Sequence, residues 1–297
     1  MTTAAARLRA LLDNESPVVA PGAFNALFAR LIEDAGFPAV YLSGAGVANS
    51  LLGMPDLGIF TQTEMVTIAD NVCQAVDVPV IVDGDTGYGG IHNVARTVRL
   101  YERAGVAAIQ LEDQTFPKKC GHFEGKQVVS RAEMLERIHA AKEARSSADS
   151  ILIIARTDAA AVIGLDEAIE RAKLFGEAGA DVLFVEAPRT EDELALVGKE
   201  LSGYRLLANM VEFGKTPLLP AERLGELGFH CVIYPGAITR SVVPAAREML
   251  AELKAEGTTA GRLDRMATFQ DVNEVVRLTD RNEWEAMIAT RARGAGA

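Results

Sequence analysis

Eight short apolar runs, spaced along most of the chain, constrain its fold more than any other feature. Each run is rich in β-branched residues and lacks the alternation of a half-exposed strand, which is typical of parallel strands buried on both faces. Amphipathic stretches separate the runs, so the pattern predicts eight units of a β-strand followed by an α-helix. The predicted strands are Pro17–Ala20, Ala39–Leu42, Pro79–Asp83, Ala107–Leu111, Ile151–Arg156, Asp181–Glu186, Arg205–Asn209 and His230–Tyr234.

Helical periodicity fills the segments between these runs. Because right-handed β-α-β connections close eight such units into a ring, we predict an α/β fold of the (β/α)8 barrel type, with an open doubly wound sheet as the alternative. We interpret residues 1–297 as one barrel domain. The clearest predicted helices are Asn25–Ala35, Gln62–Ala75, Asn93–Ala104, Arg131–Ala144, Leu165–Ala178 and Glu191–Leu201.

More helix follows the eighth predicted strand than one closing helix requires. Helical patterns cover Arg240–Ala255, Phe269–Leu278 and Arg281–Thr290. We therefore interpret residues 240–297 as a C-terminal helical extension, which is expected to pack on a neighbouring subunit.

Charge and composition exclude several classes of protein. The net charge is -11, and no basic stripe offers a surface for nucleic acid. No apolar run is long enough to span a membrane, and arginines interrupt the N-terminal segment where an export signal would be apolar. Three scattered cysteines form no disulfide framework and fit the reducing cytoplasm.

Polar side chains follow the predicted strands at the ends where barrel enzymes place their active sites. Asp83 and Asp85 follow the third strand, Glu112 the fourth, Arg156 the fifth and Glu186 the sixth. Converging carboxylates suit a hard cation such as Mg²⁺, with Mn²⁺ possible in its place. We predict Asp85 as the direct ligand, with Asp83 and Glu112 holding metal-bound waters.

Glycines near these strand ends do not form a nucleotide site. The stretch DGDTGYGG lacks the Gly-Lys-Ser/Thr ending of a P-loop, and Gly44-Ala45-Gly46 lacks the third glycine of a dinucleotide fingerprint. Nucleotide binding is therefore disfavoured.

A long polar connection after the fourth strand carries a cysteine, Cys120, beside Lys118, Lys119 and His122. Cationic neighbours lower the pKa of a thiol, and the glycines of this segment would let it move as a catalytic lid. The alternative is an exposed loop with an incidental cysteine.

Metal, cation and thiol together suggest cleavage of a 2-hydroxy acid. A base would remove the hydroxyl proton, the C2–C3 bond would break, and Cys120 would protonate the carbanion. Arg156, the Ser43 hydroxyl and the Cys120–Gly121 region would hold substrate carboxylates. Tyr41 is our first candidate for the base, and Glu186 the second.

Seven segments in fixed order resemble the isocitrate lyase and phosphoenolpyruvate mutase superfamily. The resemblance runs from about Arg7 to beyond Glu248. It implies a (β/α)8 barrel, bound Mg²⁺ and a homotetramer whose eighth helices exchange between subunits, in agreement with the surplus helices. The segments are LSGAGVANSLLGMPDLG, DGDTGYGG, LEDQTFPKKCGH, IIARTDA, LFVEAP, LLANMVEFGKTP and IYPGAITR.

The motif KKCGH resembles the lyase signature and implies Cys120 as the catalytic acid, because phosphoenolpyruvate mutases lack this cysteine. Arg240 matches a substrate-binding arginine of the superfamily. The substrate-binding residues are thus expected to be Ser43, Gly44, Ala45, Gly121, His122, Asn209 and Arg240.

Two departures from methylisocitrate lyases bear on the substrate. Those enzymes carry an arginine after CGH, where this chain has Phe123, and another near Met266–Asn273, where it has Phe269. Fewer cations disfavour a tricarboxylate. We therefore predict 2,3-dimethylmalate, cleaved to pyruvate and propionate, ahead of 2-methylisocitrate, cleaved to pyruvate and succinate. The alternatives are a phosphonomutase, an oxaloacetate hydrolase and a non-catalytic binding protein.

Overall fold

The computed structural model of the protein describes residues 2–14, 17–121 and 125–294. Its strands are short and nearly all their residues are buried, as the continuous apolar runs predict. Their bounds are β1 (Val18–Ala23), β2 (Val40–Leu42), β3 (Val80–Asp83), β4 (Ala108–Glu112), β5 (Leu152–Thr157), β6 (Val182–Val185), β7 (Leu207–Asn209) and β8 (Cys231–Tyr234).

The strands form one parallel sheet in the order β6-β5-β4-β3-β2-β1-β8-β7. Its two end strands also meet, because Leu183 pairs with Leu206 in a parallel bridge and the Leu183 N–H donates to the Arg205 carbonyl at 2.9 Å. The sheet is therefore a nearly closed barrel. This confirms the predicted (β/α)8 fold over the open doubly wound sheet.

Helices follow the strands in alternation, and each one predicted from periodicity is present. The helices are α1 (Ala4–Leu12), α2 (Ala26–Asp34), α3 (Gly44–Val47), α4 (Gln62–Ala75), α5 (Ile91–Arg103), α6 (Arg131–Ala144), α7 (Ala159–Val162), α8 (Leu165–Glu177), α9 (Glu191–Glu200), α10 (Ala221–Glu226), α11 (Ala237–Glu256), α12 (Phe269–Val275) and α13 (Leu278–Gly294), with a π-helical turn at Ala48–Leu52 and a 3-10 turn at Ala260–Arg265.

The core has two layers. One lies between the strands and the surrounding helices, and the other fills the inside of the barrel. Helix α1, which the sequence did not predict, places Leu8 and Leu12 in the inner layer together with Ile81, Ile154 and Phe184. The barrel interior is thus filled with side chains, and the strand ends remain for chemistry.

Contacts divide the chain into two compact units, Met1–Thr239 and Arg240–Ala297. Most described residues of the second unit lie in α11, α12, α13 and the 3-10 turn, whereas the interpretation of residues 240–297 as an extension of one barrel domain stays a prediction. Among the described helices, none combines the length and the apolar character that crossing a bilayer demands.

Candidate active site

The carboxyl end of β3 and the turn after it hold two of the predicted carboxylates side by side. Asp83 Oδ1 accepts hydrogen bonds from the Asp85 backbone N–H at 3.2 Å and from Gln110 Nε2 at 3.3 Å. Asp85 takes a left-handed backbone conformation (φ 48°), and its carbonyl accepts from the Glu112 N–H at 2.9 Å. Both aspartates are buried, so the turn after β3 brings them to one edge of the barrel.

Lys118 supplies the positive charge nearest to these aspartates. Its Nζ lies 2.8 Å from Asp85 Oδ1 and 2.5 Å from Asp56 Oδ1, and its side chain is 3% exposed. Burial lowers the pKa of Lys118, but Asp85 and Asp56 more than compensate, so that the pKa lies well above its usual value and the ammonium stays charged.

Arg156, at the end of β5, is held between three carboxylates. Its Nε and Nη2 donate to the two oxygens of Asp158 at 3.0 and 3.1 Å, and its Nη1 lies 3.3 Å from Glu112 Oε2. Its Nη2 is 3.8 Å from Glu186 Oε1, and the guanidinium carbon lies 5.3 Å from the ring centre of Phe184. The predicted carboxylate-binding cation is thus fixed in orientation.

Glu186, which follows β6, is buried beside this arginine. The Nδ2 of Asn209 donates to both of its oxygens, at 3.3 and 3.2 Å. A Cβ atom built on Gly121 would lie 2.3 Å from Glu186 Oε1 and 2.4 Å from Arg156 Nη2, so the Gly121 backbone packs directly on both groups. The residue that follows Cys120 therefore sits at the mouth of the barrel.

Tyr41 donates its hydroxyl to Gln110 Oε1 at 3.1 Å inside the barrel. Burial, and secondarily the negative charge of Asp83, raise the pKa of Tyr41 well above its usual value. Tyrosine acts as a base only after its hydroxyl has lost its proton, and a raised pKa makes that loss less favourable. This raised pKa counts against Tyr41 as the base, but the choice between Tyr41 and Glu186 stays a prediction.

The predicted substrate-binding residues after β2 form a helix start. Ser43 Oγ accepts from the Gly46 N–H at 3.1 Å and caps α3, which begins with Gly44 and Ala45. A Cβ on Gly44 would lie 2.8 Å from Asp83 Oδ2, so this position brings backbone directly against that carboxylate. Ser43, Gly44 and Ala45 therefore border the Asp83 side of the site.

Two of the predicted substrate residues, His122 and Arg240, stay predictions. His122 lies outside the described residues. Arg240 belongs to the second compact unit, and its contact with substrate stays a prediction. Cys120 itself is half-buried and forms no disulfide.

These features match a known family. The sequence profile named phosphoenolpyruvate phosphomutase matches residues 8–254. The chain belongs to this family. It is 48% identical over 286 residues to 2,3-dimethylmalate lyase from Eubacterium barkeri, with 96% of this chain and 98% of that protein covered.

Two further comparisons agree. The chain is 44% identical over 285 residues to 2-methylisocitrate lyase from Aeropyrum pernix, covering 96% of this chain and 91% of the relative. A solved structure of oxaloacetate acetylhydrolase with the inhibitor 3,3-difluorooxalacetate superposes with a TM-score of 0.92, at 38% identity, covering 97% of this chain and 98% of that one. The predicted resemblance is confirmed, and the chain is an enzyme of this family.

The acidic end of the site fits a divalent cation. Glu112 Oε1 is buried and accepts no hydrogen bond from any described residue, and Asp85 Oδ1, which likewise accepts none within the described part of the chain, forms an ion pair with Lys118. Burial raises the pKa of Asp85 to about 7 and that of Glu112 well above its usual value. Carboxylates that lack full compensation inside a protein gain from a bound cation.

The described residues contain no group of three or more His, Cys, Asp and Glu side chains close enough to enclose an ion. Magnesium needs no such group, because it keeps several waters and usually takes one or two protein carboxylates. Asp85 as the direct ligand, with Asp83 and Glu112 acting through water, therefore stays a prediction that the geometry accommodates.

A cavity of about 370 Å³ adjoins the acidic end. Asp85 and Lys118 form part of its lining, and Phe60, Tyr88 and Phe116 contribute aromatic surface. This volume is within the range of small-molecule sites. Asp85 is thus buried and also reachable from a small chamber.

Sequence reasoning missed several residues that organise the site. Asp56 pairs with Lys118 across 62 positions, and Gln110 joins Tyr41 to Asp83. Gln110 carried a usable signal, because it is a polar residue inside an otherwise apolar strand. The others missed are Lys118 as an ion-pair partner, Lys126 and Asp158.

Proposed function

We propose that this enzyme is a Mg²⁺-dependent carbon–carbon lyase that cleaves a small 2-hydroxy dicarboxylate, with 2,3-dimethylmalate as the preferred substrate. The contact of Gly121 with Glu186 and Arg156 carries the proposal. Through this contact, the residue that follows Cys120 packs against the buried cation of Arg156 and the buried carboxylate of Glu186. An acid, a base and a carboxylate-binding group are then available in one small space.

The chain's own residues account for the steps. Glu186 takes the proton of the 2-hydroxyl, and the electrons of that bond form the carbonyl of the 2-oxo acid. The C2–C3 bond breaks, and its electron pair moves to C3, where the adjacent carboxylate delocalises it. The Cys120 thiol then donates its proton to C3, which releases propionate; the Glu186 proton and the thiolate are reset through solvent.

Arg156 is suited to hold the substrate carboxylate during this reaction. Burial lowers the pKa of Arg156, but Asp158, Glu186 and Glu112 more than compensate, so that the guanidinium stays charged. When bound, Mg²⁺ would be held by Asp85 and would supply charge stabilisation at the substrate's 2-oxygen.

The preference for a dicarboxylate rests on two sequence positions and on the comparisons. By the family resemblance, Phe123, outside the described residues, and Phe269, in the second unit, stand where methylisocitrate lyases are expected to carry arginines. The similarity to 2,3-dimethylmalate lyase supports the same choice. Methylisocitrate remains the second substrate to test, because 2-methylisocitrate lyase is nearly as similar.

One observation favours a different reaction on this scaffold. The superposition with oxaloacetate acetylhydrolase supports hydrolysis of a 2-oxo acid as the second candidate. The products separate the two, because the lyase releases pyruvate whereas hydrolysis of oxaloacetate releases oxalate. A phosphonomutase is the weaker alternative, because the resemblance associates Cys120 with the lyases.

The test is a screen of purified enzyme with Mg²⁺. We would offer 2,3-dimethylmalate, 2-methylisocitrate and oxaloacetate separately, and follow pyruvate and oxalate. We expect pyruvate from dimethylmalate with the highest kcat/KM. Oxalate from oxaloacetate, with no pyruvate from either hydroxy acid, would establish the hydrolase instead.

We also propose that the enzyme is a homotetramer. In α11 no residue is buried, and the exposed apolar side chains of α11 and α13 include Val243, Leu250, Trp284 and Ile288. Apolar surface of this kind indicates association. Light scattering after gel filtration should give about four times the chain mass, whereas a monomer would contradict the proposal. A cytoplasmic location stays a prediction.

A further inference from the structure

Lys126 is a buried cation without a role in the reaction derived above. Its side chain is 1% exposed, and its Nζ lies 2.8 Å from Asp158 Oδ1, in a side chain that is 0% exposed. The same ammonium also donates to the carbonyl of Gly121. Because lysine is almost never fully buried without a partner, this arrangement requires a physical reason.

Asp158 connects this lysine to the cation that would bind substrate. Its Oδ1 accepts from Lys126 and also from Arg156 Nη2 at 3.1 Å, and its Oδ2 accepts from Arg156 Nε at 3.0 Å. One carboxylate therefore fixes the orientation of Arg156 and the position of Lys126. Displacement of Lys126 would therefore remove one of the two hydrogen bonds that this shared oxygen accepts.

The backbone around Cys120 is held on both sides. Before it, Gln114 Nε2 donates to the Lys119 carbonyl at 2.8 Å, and the Lys119 N–H donates to Gln114 Oε1 at 2.9 Å. After it, the Gly121 carbonyl accepts from Lys126. Cys120 thus sits between two fixed points, and only the second of them is linked to Arg156.

We propose that Lys126 is a positioning residue for Cys120. Its buried ammonium links the Gly121 carbonyl to Asp158 and so keeps the thiol at a fixed position relative to Arg156. The inference rests on the proposed function, because the position of the thiol relative to Arg156 matters only if the thiol acts on a substrate that Arg156 holds. Lys126 itself touches no reacting atom.

The test compares Lys126→Met with the wild-type enzyme. Methionine keeps a long flexible side chain but lacks the ammonium, so the Gly121 carbonyl loses the hydrogen bond that links it to Asp158. We expect kcat to fall by about tenfold to a hundredfold, as when groups that orient an active-site residue are removed, with KM changed less than kcat. Without substrate, alkylation of Cys120 by iodoacetamide, followed by peptide mass spectrometry, should become several times faster.

Two further variants separate positioning from general stability. Lys126→Arg keeps the charge and should recover part of kcat. Lys142→Met is the matched control, because Lys142 Nζ donates to the Ala178 carbonyl at 2.8 Å and belongs to none of the groups above. It should leave both kcat and Cys120 alkylation unchanged.

The outcomes are distinguishable. If Lys126→Met has the wild-type rate of Cys120 alkylation and the wild-type kcat, the positioning role is overturned. If that variant does not fold, Lys126→Gln replaces it, and the same unchanged rates overturn the proposal. Failure of the wild-type enzyme to cleave any 2-hydroxy acid would instead overturn the proposed function, because the alkylation readout needs no substrate.

Discussion

Replacing Gly121 by alanine tests how tightly the segment next to Cys120 packs on the reaction site. The added methyl would lie 2.3 Å from Glu186 Oε1 and 2.4 Å from Arg156 Nη2, whereas non-bonded atoms prefer about 3.5 Å or more. Either Gly121 withdraws from the site, or one of these two side chains moves by about 1 Å.

Neither side chain can move without losing a partner. Arg156 donates twice to Asp158, and Glu186 accepts twice from Asn209. A hydrogen bond to a charged group contributes about 1.5–3 kcal/mol, which is similar to the cost of overpacking a site. That range corresponds to roughly a tenfold to hundredfold loss of the reactive arrangement.

We therefore expect Gly121→Ala to lower kcat/KM for 2-oxo acid release by about tenfold to a hundredfold. The thermal midpoint should change little, because withdrawal of the loop relieves the overlap without opening the barrel. Gly90→Ala is the control, since a Cβ at Gly90 meets nothing within 4 Å and its φ is -73°. Wild-type kcat/KM in Gly121→Ala would refute the packing argument.

Three further predictions concern single groups. Burial raises the pKa of Cys73 and of Cys231 to about 12, so iodoacetamide at about pH 8 should label Cys120 first; equal labelling of Cys231, by mass spectrometry, would contradict this. The pKa of Asp85 is raised to about 7, mainly by burial, so the folded metal-free protein holds a proton that the unfolded chain releases near pH 4. The Asp85 contribution to stability thus falls as pH rises from about 4 to about 7. Mg²⁺ needs the ionised carboxylate, so it should raise Tm more at about pH 8 than at about pH 5.5. Equal shifts in Tm at the two pH values would argue against Asp85 as a ligand. Tyr41→Phe should lose less than the roughly hundredfold expected on removing a general base, and a larger fall in kcat would restore Tyr41 to that role.

The barrel could be predicted because its signal is local. Each buried parallel strand is a continuous apolar run, and this pattern gave all eight strands to within a few residues. The largest difference is β1, predicted to end at Ala20 and observed to continue to Ala23. Strand β1 pairs with β8 up to Pro21 and then with β2 at Gly22, so the change of partner carries the strand beyond the apolar run.

Short helices were harder to predict than strands. Helix α3 has four residues, two of them glycine, and α7 and α10 have four and six residues. Such segments show less than two turns of periodicity, and their stability comes from caps and tertiary contacts, which propensity does not describe. Helix α1 is longer, but its alanines and arginines suggested only the absence of an export signal.

The candidate site likewise contains residues that could be predicted from the sequence and contacts that could not. Asp83, Asp85, Glu112, Arg156 and Glu186 follow directly from their places at strand ends, because a barrel brings those ends together. The ion pairs of Lys118 with Asp56 and of Lys126 with Asp158 could not be predicted, because they join a loop without periodicity to residues 62 and 32 positions away.

The strand ends and one loop contribute different chemical groups to the candidate site. The strand ends supply the carboxylates and Arg156, whereas the connection between β4 and α6 supplies the Cys120 thiol and both buried lysines. A chain with the same strands and a different connection would keep the fold and the carboxylates proposed to bind a metal. It would nevertheless lose Cys120, the proposed proton donor, together with Lys118, the cation beside Asp85. The choice among cleavage, hydrolysis and group transfer is therefore expected to lie in this one connection, with the barrel unchanged.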